Sequence, residues 1–100
     1  LIIIALALLA AHTAHSNPIY RDCLFVPHDK YYQPYQTFTH LNMFQYRCDG
    51  ETGNAKPYGC FVDGPGSKLV HVNTVEVVGK ESIKCDGNDD SIAVYRNKIA

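Results

Sequence analysis

The sequence predicts a small all-β domain of short antiparallel strands stapled by disulfides. Three observations carry that expectation. Four cysteines occur in a chain of 100 residues that opens with an apolar leader. Turn-forming residues recur every eight to twelve positions, and helical periodicity is weak throughout. An even number of cysteines in a short secreted chain reads as a disulfide framework.

The leader is LIIIALALLAAHTAHSNP, an eleven-residue apolar run followed by small and polar residues. This is the pattern of a signal-peptide core and cleavage zone. Ala14 and Ser16 supply the small residues three and one before a cut after Ser16. The first residue is Leu and no basic stretch precedes it, so the leader (residues 1–16) is expected to be truncated at its start. A membrane span needs about 20 apolar residues, so no stable membrane insertion is expected and the domain is expected to be secreted and extracellular. Residues 17–100 then form one domain, with a module core at 23–85 and a C-terminal tail or edge strand at 86–100.

A chain of this size is marginal on its hydrophobic core alone. Closing a loop of about 26 residues is worth roughly 3.5 kcal/mol on the chain-entropy picture, so two such closures match the whole stability of a small domain. The formal charge is −1, from nine Lys and Arg against ten Asp and Glu, with no run of like charges. A nucleic-acid partner would want a basic stripe, and none is present.

Strands are expected at 36–39, 42–48, 58–62, 68–72, 74–78, 81–85 and 91–96. In the second, Phe44, Tyr46 and Cys48 share one face, expected to be core, because side chains alternate along a strand. Asp49-Gly50, Thr52-Gly53-Asn54, Asp63-Gly64-Pro65-Gly66, Gly79-Lys80 and Asp86-Gly87-Asn88 supply the turns. Val78-Gly79-Lys80-Glu81 reads as a tight hairpin.

The cysteine spacing implies an internal pseudo-repeat. Cys23 to Cys48 and Cys60 to Cys85 each enclose 24 residues. In register, Tyr35 matches Val72, Thr37 matches Thr74, Phe38 matches Val75, Tyr46 matches Ile83 and Arg47 matches Lys84. This describes two β half-units, with residues 49–59 as their linker.

Chemistry-bearing residues are few. In residues 17–100 no Cys or His pair has the two-to-four-residue spacing of structural zinc sites in both halves, and each of His28, His40 and His71 is expected as a polar surface residue. No C-x-x-C pair tunes a thiolate. Ser67, Ser82 and Ser91 lie in no nucleophile motif, and His28-Asp29 are neighbours expected to face opposite ways. No cofactor is expected, and an enzyme is the disfavoured class. Tyr31-Tyr32-Gln33-Pro34-Tyr35 is the most unusual local composition. Proline keeps it out of a central strand; Tyr31 and Tyr32 are the candidate partner contacts, and Tyr35 is expected in the core. No N-glycosylation sequon occurs.

Cys23, Tyr32-x-x-Tyr35-x-x-Phe38, Phe44-x-Tyr46-x-Cys48, a Gly-rich connection, Gly59-Cys60-Phe61-Val62 and Val75-x-Val77-x-Gly79-x(5)-Cys85 follow one another over residues 23–85. This run resembles the fibronectin type I-like module of the nematode abnormal-cell-migration protein family. The resemblance implies a small secreted all-β module acting in extracellular matrix by binding, without catalysis, and associated with cell migration and matrix remodelling. Where a Gly, an acidic residue and Trp are usual in that family, this chain has Pro34-Tyr35-Gln36-Thr37-Phe38, so Phe38 takes the place of the Trp. The Cys-x-Cys pair of ordinary fibronectin type I modules is absent, so their connectivity does not transfer.

From the pseudo-repeat, bridges 23–48 and 60–85 are expected, each closing its own half-unit. The crossed pairing 23–60 with 48–85 and the nested pairing 48–60 with 23–85 are the alternatives. The expected function is non-catalytic binding of an extracellular protein or matrix component. A secreted protease inhibitor using the loop Asp63-Gly64-Pro65-Gly66-Ser67-Lys68 is the rival.

Overall fold

Residues 19–89 and 91–99 are described in a computed structural model of the chain; the expected leader lies outside them. The described residues form nine strands and a single 3-10 turn: β1 (Cys23–Phe25), the turn (Val26–His28), β2 (Lys30–Tyr32), β3 (Thr37–His40), β4 (Phe44–Asp49), β5 (Asn54–Phe61), β6 (Leu69–His71), β7 (Thr74–Val78), β8 (Glu81–Gly87) and β9 (Ile92–Lys98). All pairings are antiparallel, in three sheets ordered β1-β2, β3-β4-β5-β6 and β7-β8-β9. Among the described residues, no helix is long and apolar enough to cross a membrane.

The bridges join Cys23 to Cys48 and Cys60 to Cys85, with Cα separations of 5.6 and 5.7 Å. Each lies fully buried at the heart of one core. Cys23, Phe25, Tyr32, Phe38 and Cys48 make the first; Phe44, Cys60, Val62, Val70, Ile83 and Cys85 make the second. Tyr46 packs against both, which makes it the hinge of side-chain packing between the half-units. β4 has Phe44 and Cys48 buried and Arg47 exposed, while Tyr46, expected on the core face with them, is half-buried.

The stretch 49–59 is not a linker. It is a β-hairpin: Gly53 N–H donates to Asp49 O at 2.8 Å and takes φ 77°, and Asn54 begins an eight-residue strand. β5 pairs with β4 on one side and β6 on the other, so it carries one continuous sheet from the first core to the second. Pro57 and Gly59 disguise this strand, because proline is excluded from most central strands. The register shift between Gln45 and Tyr46, which pair with Gly59 and Pro57, leaves Tyr58 as an inserted residue beside the proline. A bulge of this kind is where a central strand accommodates a missing N–H.

The pseudo-repeat persists in the two cores but slips by one residue in the hairpins. Phe38 pairs with Tyr46, whereas its counterpart Val75 pairs with Lys84 rather than with Ile83. The β3–β4 connection holds three residues between His40 and Phe44; the β7–β8 turn holds only Gly79 and Lys80, with Gly79 at φ 60°. One residue of slip exchanges the faces of a strand. Phe38 is therefore buried while Val75 is 59% exposed. Residues 92–98 complete the fold as the edge strand of the third sheet.

Candidate binding face

Tyr31 and Tyr32 do not form one contact strip. They are consecutive on β2, so they face opposite ways. Tyr31 is exposed beside its cross-strand partner Leu24, also exposed. Tyr32 is buried, stacks on Phe38, and joins the first core. Of the two candidates, only Tyr31 is available to a partner.

Tyr35 also departs from expectation, because it lies outside the core and is 40% exposed. Its position follows from the turn that holds it. Gln36 N–H donates to Gln33 O at 3.0 Å, and the Gln36 side chain accepts from Gln33 N–H at 2.9 Å. Pro34 occupies the first central position and Tyr35 the second, at φ 64°, a pattern that ordinarily selects Gly or Asn. Tyr35 N–H donates to Cys48 O and Cys48 N–H to Gln36 O, each at 2.9 Å. The turn is thereby tied to the first disulfide. Gly50 permits the close fit, since a Cβ there would meet Pro34 Cβ at 2.8 Å and Tyr35 Cε2 at 3.0 Å.

Around this ring stand Tyr20, edge-on at 5.4 Å, and the Arg47 guanidinium at 5.3 Å. Arg47 lies directly opposite Lys56 across β4 and β5. Two cations in that relation repel, and Asp49 offsets Lys56 through an ion pair of 3.2 Å. The Asp49 carboxyl is held below its usual range, first by the Glu51 N–H and then by Lys56. Arg47 has only the tyrosine ring as its partner among the contacts of the described residues. The Tyr35 phenol is raised, first by desolvation and then by Glu51, Tyr20 and Asp49, against an opposing effect of Arg47. It is therefore a protonated hydroxyl, able to donate.

Tyr35, Arg47, Cys48, Asp49, Lys56, Pro57 and Tyr58 line an open groove of about 250 Å³. Tyr58 is the bulged residue of β5, and a bulge redirects a side chain out of the strand's alternation. Its ring packs edge-on against His71 of β6 at 5.1 Å. The face thus combines aromatic rings, a guanidinium and a carboxylate, a composition suited to binding. The sequence placed Tyr35 in the core and gave Arg47 no contact role, because the turn is set by its bonds to β4 and the groove forms only once β4 and β5 pair.

His28 and His40 are not plain surface residues. His28 sits in the 3-10 turn, and both rings are half-buried against Phe25. His28 Nδ1 lies 2.7 Å from the Tyr32 hydroxyl, and its Nε2 lies 3.2 Å from His40 Nδ1. Desolvation, and then His28, lowers the His40 pKa. Asp29 is exposed at the end of the turn, at φ 49°. Among the described residues no three of His, Cys, Asp and Glu converge as metal ligands.

The loop of residues 63–68 is closed on itself. Gly64 and Gly66 take φ 94° and 84°. Ser67 Oγ accepts from Asp63 N–H at 2.9 Å and donates to Gly64 O at 2.7 Å, while Lys68 is paired with Glu76 at 3.5 Å. A protease cleft pairs with extended backbone, so this geometry does not favour the inhibitor reading. No protein-family model, curated protein or solved structure matches this chain.

Proposed function

We propose that the chain is a secreted, matrix-associated binding module of fibronectin type I-like character, working without catalysis on an extracellular protein or matrix component in cell migration or matrix remodelling. The observation that carries the reading is Tyr35. A non-glycine residue is held at positive φ, at a cost of about 1–2 kcal/mol, and its ring remains at the surface beside Arg47. Strain retained at an exposed aromatic residue is characteristic of positions kept for recognition. Two buried disulfides suit an oxidising compartment, and the apolar opening suits export. Tyr31, exposed on the β1–β2 hairpin, is a second aromatic contact.

The test is binding of the full chain to immobilised extracellular-matrix proteins and to matrix laid down by cultured cells. Tyr35→Ser with Arg47→Ser should abolish retention while leaving the far-ultraviolet spectrum unchanged. Retention equal to that of the unaltered chain removes the face from consideration. Absence of any retention, with stoichiometric inhibition in a panel of serine proteases, would return the inhibitor reading.

A further inference from the structure

Among the described residues, no backbone pairs with the outer side of the strand that ends the third sheet. β9 runs for seven residues without proline, glycine or register shift, and β8 is its one neighbour in the sheet. Ile99 N–H donates to Lys80 O at 2.8 Å, and Asn88 N–H to Ser91 O at 2.9 Å. Both contacts lie on the continuous β8–β9 register, so bonded positions fall on the odd-numbered residues. In an antiparallel ladder these alternate with residues whose groups point away. Ala93, Tyr95 and Asn97 therefore bond to β8, while Ile92, Val94, Arg96 and Lys98 direct N–H and C=O outward.

We propose that this edge pairs with a second copy of the chain, β9 against β9 about a two-fold axis at Tyr95, giving a six-stranded sheet across the dimer. The register is self-complementary. Ile92 meets Lys98 of the second copy and Val94 meets Arg96, so every outward N–H faces an outward C=O. Ala93 meets Asn97, and Tyr95 meets Tyr95 as a non-bonded pair, where side chains stand closest and aromatic pairs are favourable. No like charges face each other. Shifting the axis to Arg96 keeps the bonding pattern but sets guanidinium against guanidinium; shifting it to Val94 pairs only residues 92–96 of the strand. Full overlap of seven residues occurs at Tyr95 alone.

The other edge of the third sheet, β7, is poorer. β7 paired with itself about its centre sets Glu76 against Glu76, and Lys68, from the loop before β6, is already on that carboxylate. On β9 Arg96 is held inward by Glu81 at 2.8 and 2.9 Å and by Val62 O at 2.6 Å. Of the charges that ordinarily guard an edge, only Lys98 is left. Tyr95 is 54% exposed, on the outer face with Val75 and Lys84. An isologous contact of this kind closes at two subunits.

Sedimentation equilibrium of the oxidised full chain over a concentration series tests the assignment, together with amide exchange in dilute and concentrated samples. A monomer–dimer equilibrium is expected, in which the amides of Ile92, Val94, Arg96 and Lys98 gain protection with concentration and those of Ala93, Tyr95 and Asn97 do not. Tyr95→Lys, an exposed change that sets two ammonium groups opposite each other, should weaken association by at least about tenfold. Val94→Pro removes an outward N–H without removing a bond to β8 and should do the same. A chain that stays monomeric at millimolar concentration overturns the proposal, as does a dimer that both variants leave intact.

Discussion

The rings of Tyr32 and Phe38 stack face to face, 3.7 Å between centroids and 8° between planes. With Tyr32 also joined to His28 by its hydroxyl, this pair is the centre of the first core. Tyr32→Ser is expected to destabilise the fold by about 3–5 kcal/mol. Tyr31→Ser, on the opposite side of the same strand, should stay within about 0.5 kcal/mol. Urea unfolding of the two variants measures the contrast, and equal midpoints would contradict the facing of β2.

Replacing Cys23 and Cys48 together by alanine, or Cys60 and Cys85 together, removes a cross-link of sequence separation 25 in either case. Each loss should cost about 3.5 kcal/mol. Because β5 and Tyr46 join the two cores, each variant should still unfold in one calorimetric transition at lower temperature. Two resolved transitions would mean that the half-units fold independently.

His40 makes the first half-unit sensitive to acid. His40 titrates below its ordinary value of 6.5, chiefly through desolvation and then through His28. The unfolded chain therefore takes up the proton first. Stability linked to His40 is complete above 6.5 and is lost as pH falls through the folded value. Asp49 and Glu81 have depressed pKa values, so their stabilisation persists until pH falls below the ordinary carboxylate range. A decline in the urea midpoint between pH 7 and pH 5 is thus expected from His40, and His40→Asn should flatten it. An unchanged slope in that variant would assign the decline elsewhere.

Tyr35→Gly separates stability from recognition. Glycine takes positive φ without the penalty of about 1–2 kcal/mol that Tyr35 bears, while the lost cation–π contact with Arg47 is worth about 0.5–1 kcal/mol at an exposed site. The thermal midpoint should hold or rise, and retention on matrix should fall. A marked drop in midpoint would show that the ring is structural.

Much of the fold was legible in the chain. The equal cysteine intervals pointed to the two bridges, since a repeat closes each unit on itself. The alternation of Phe44, Tyr46 and Cys48 placed β4, and Gly79-Lys80 placed the β7–β8 turn. The face was less legible. Tyr32 and Tyr31 look alike until β2 is paired with β1, and Tyr35 looks like a core residue until the turn sets its φ. Residues 49–59 read as a linker because Pro57 and Gly59 obscure a strand that the bulge at Tyr58 makes possible.

By itself the sequence determined the class of the protein: an all-β domain with four cysteines, short strands and explicit turns. Composition, period and spacing are local properties, and they survive in any folded arrangement. Only the tertiary structure decided which tyrosines are buried, that β5 belongs to both halves, and that β9 is left with an open edge. Those outcomes depend on register between strands distant in sequence, and a slip of one residue, as between Phe38 and Val75, moves a side chain from core to surface.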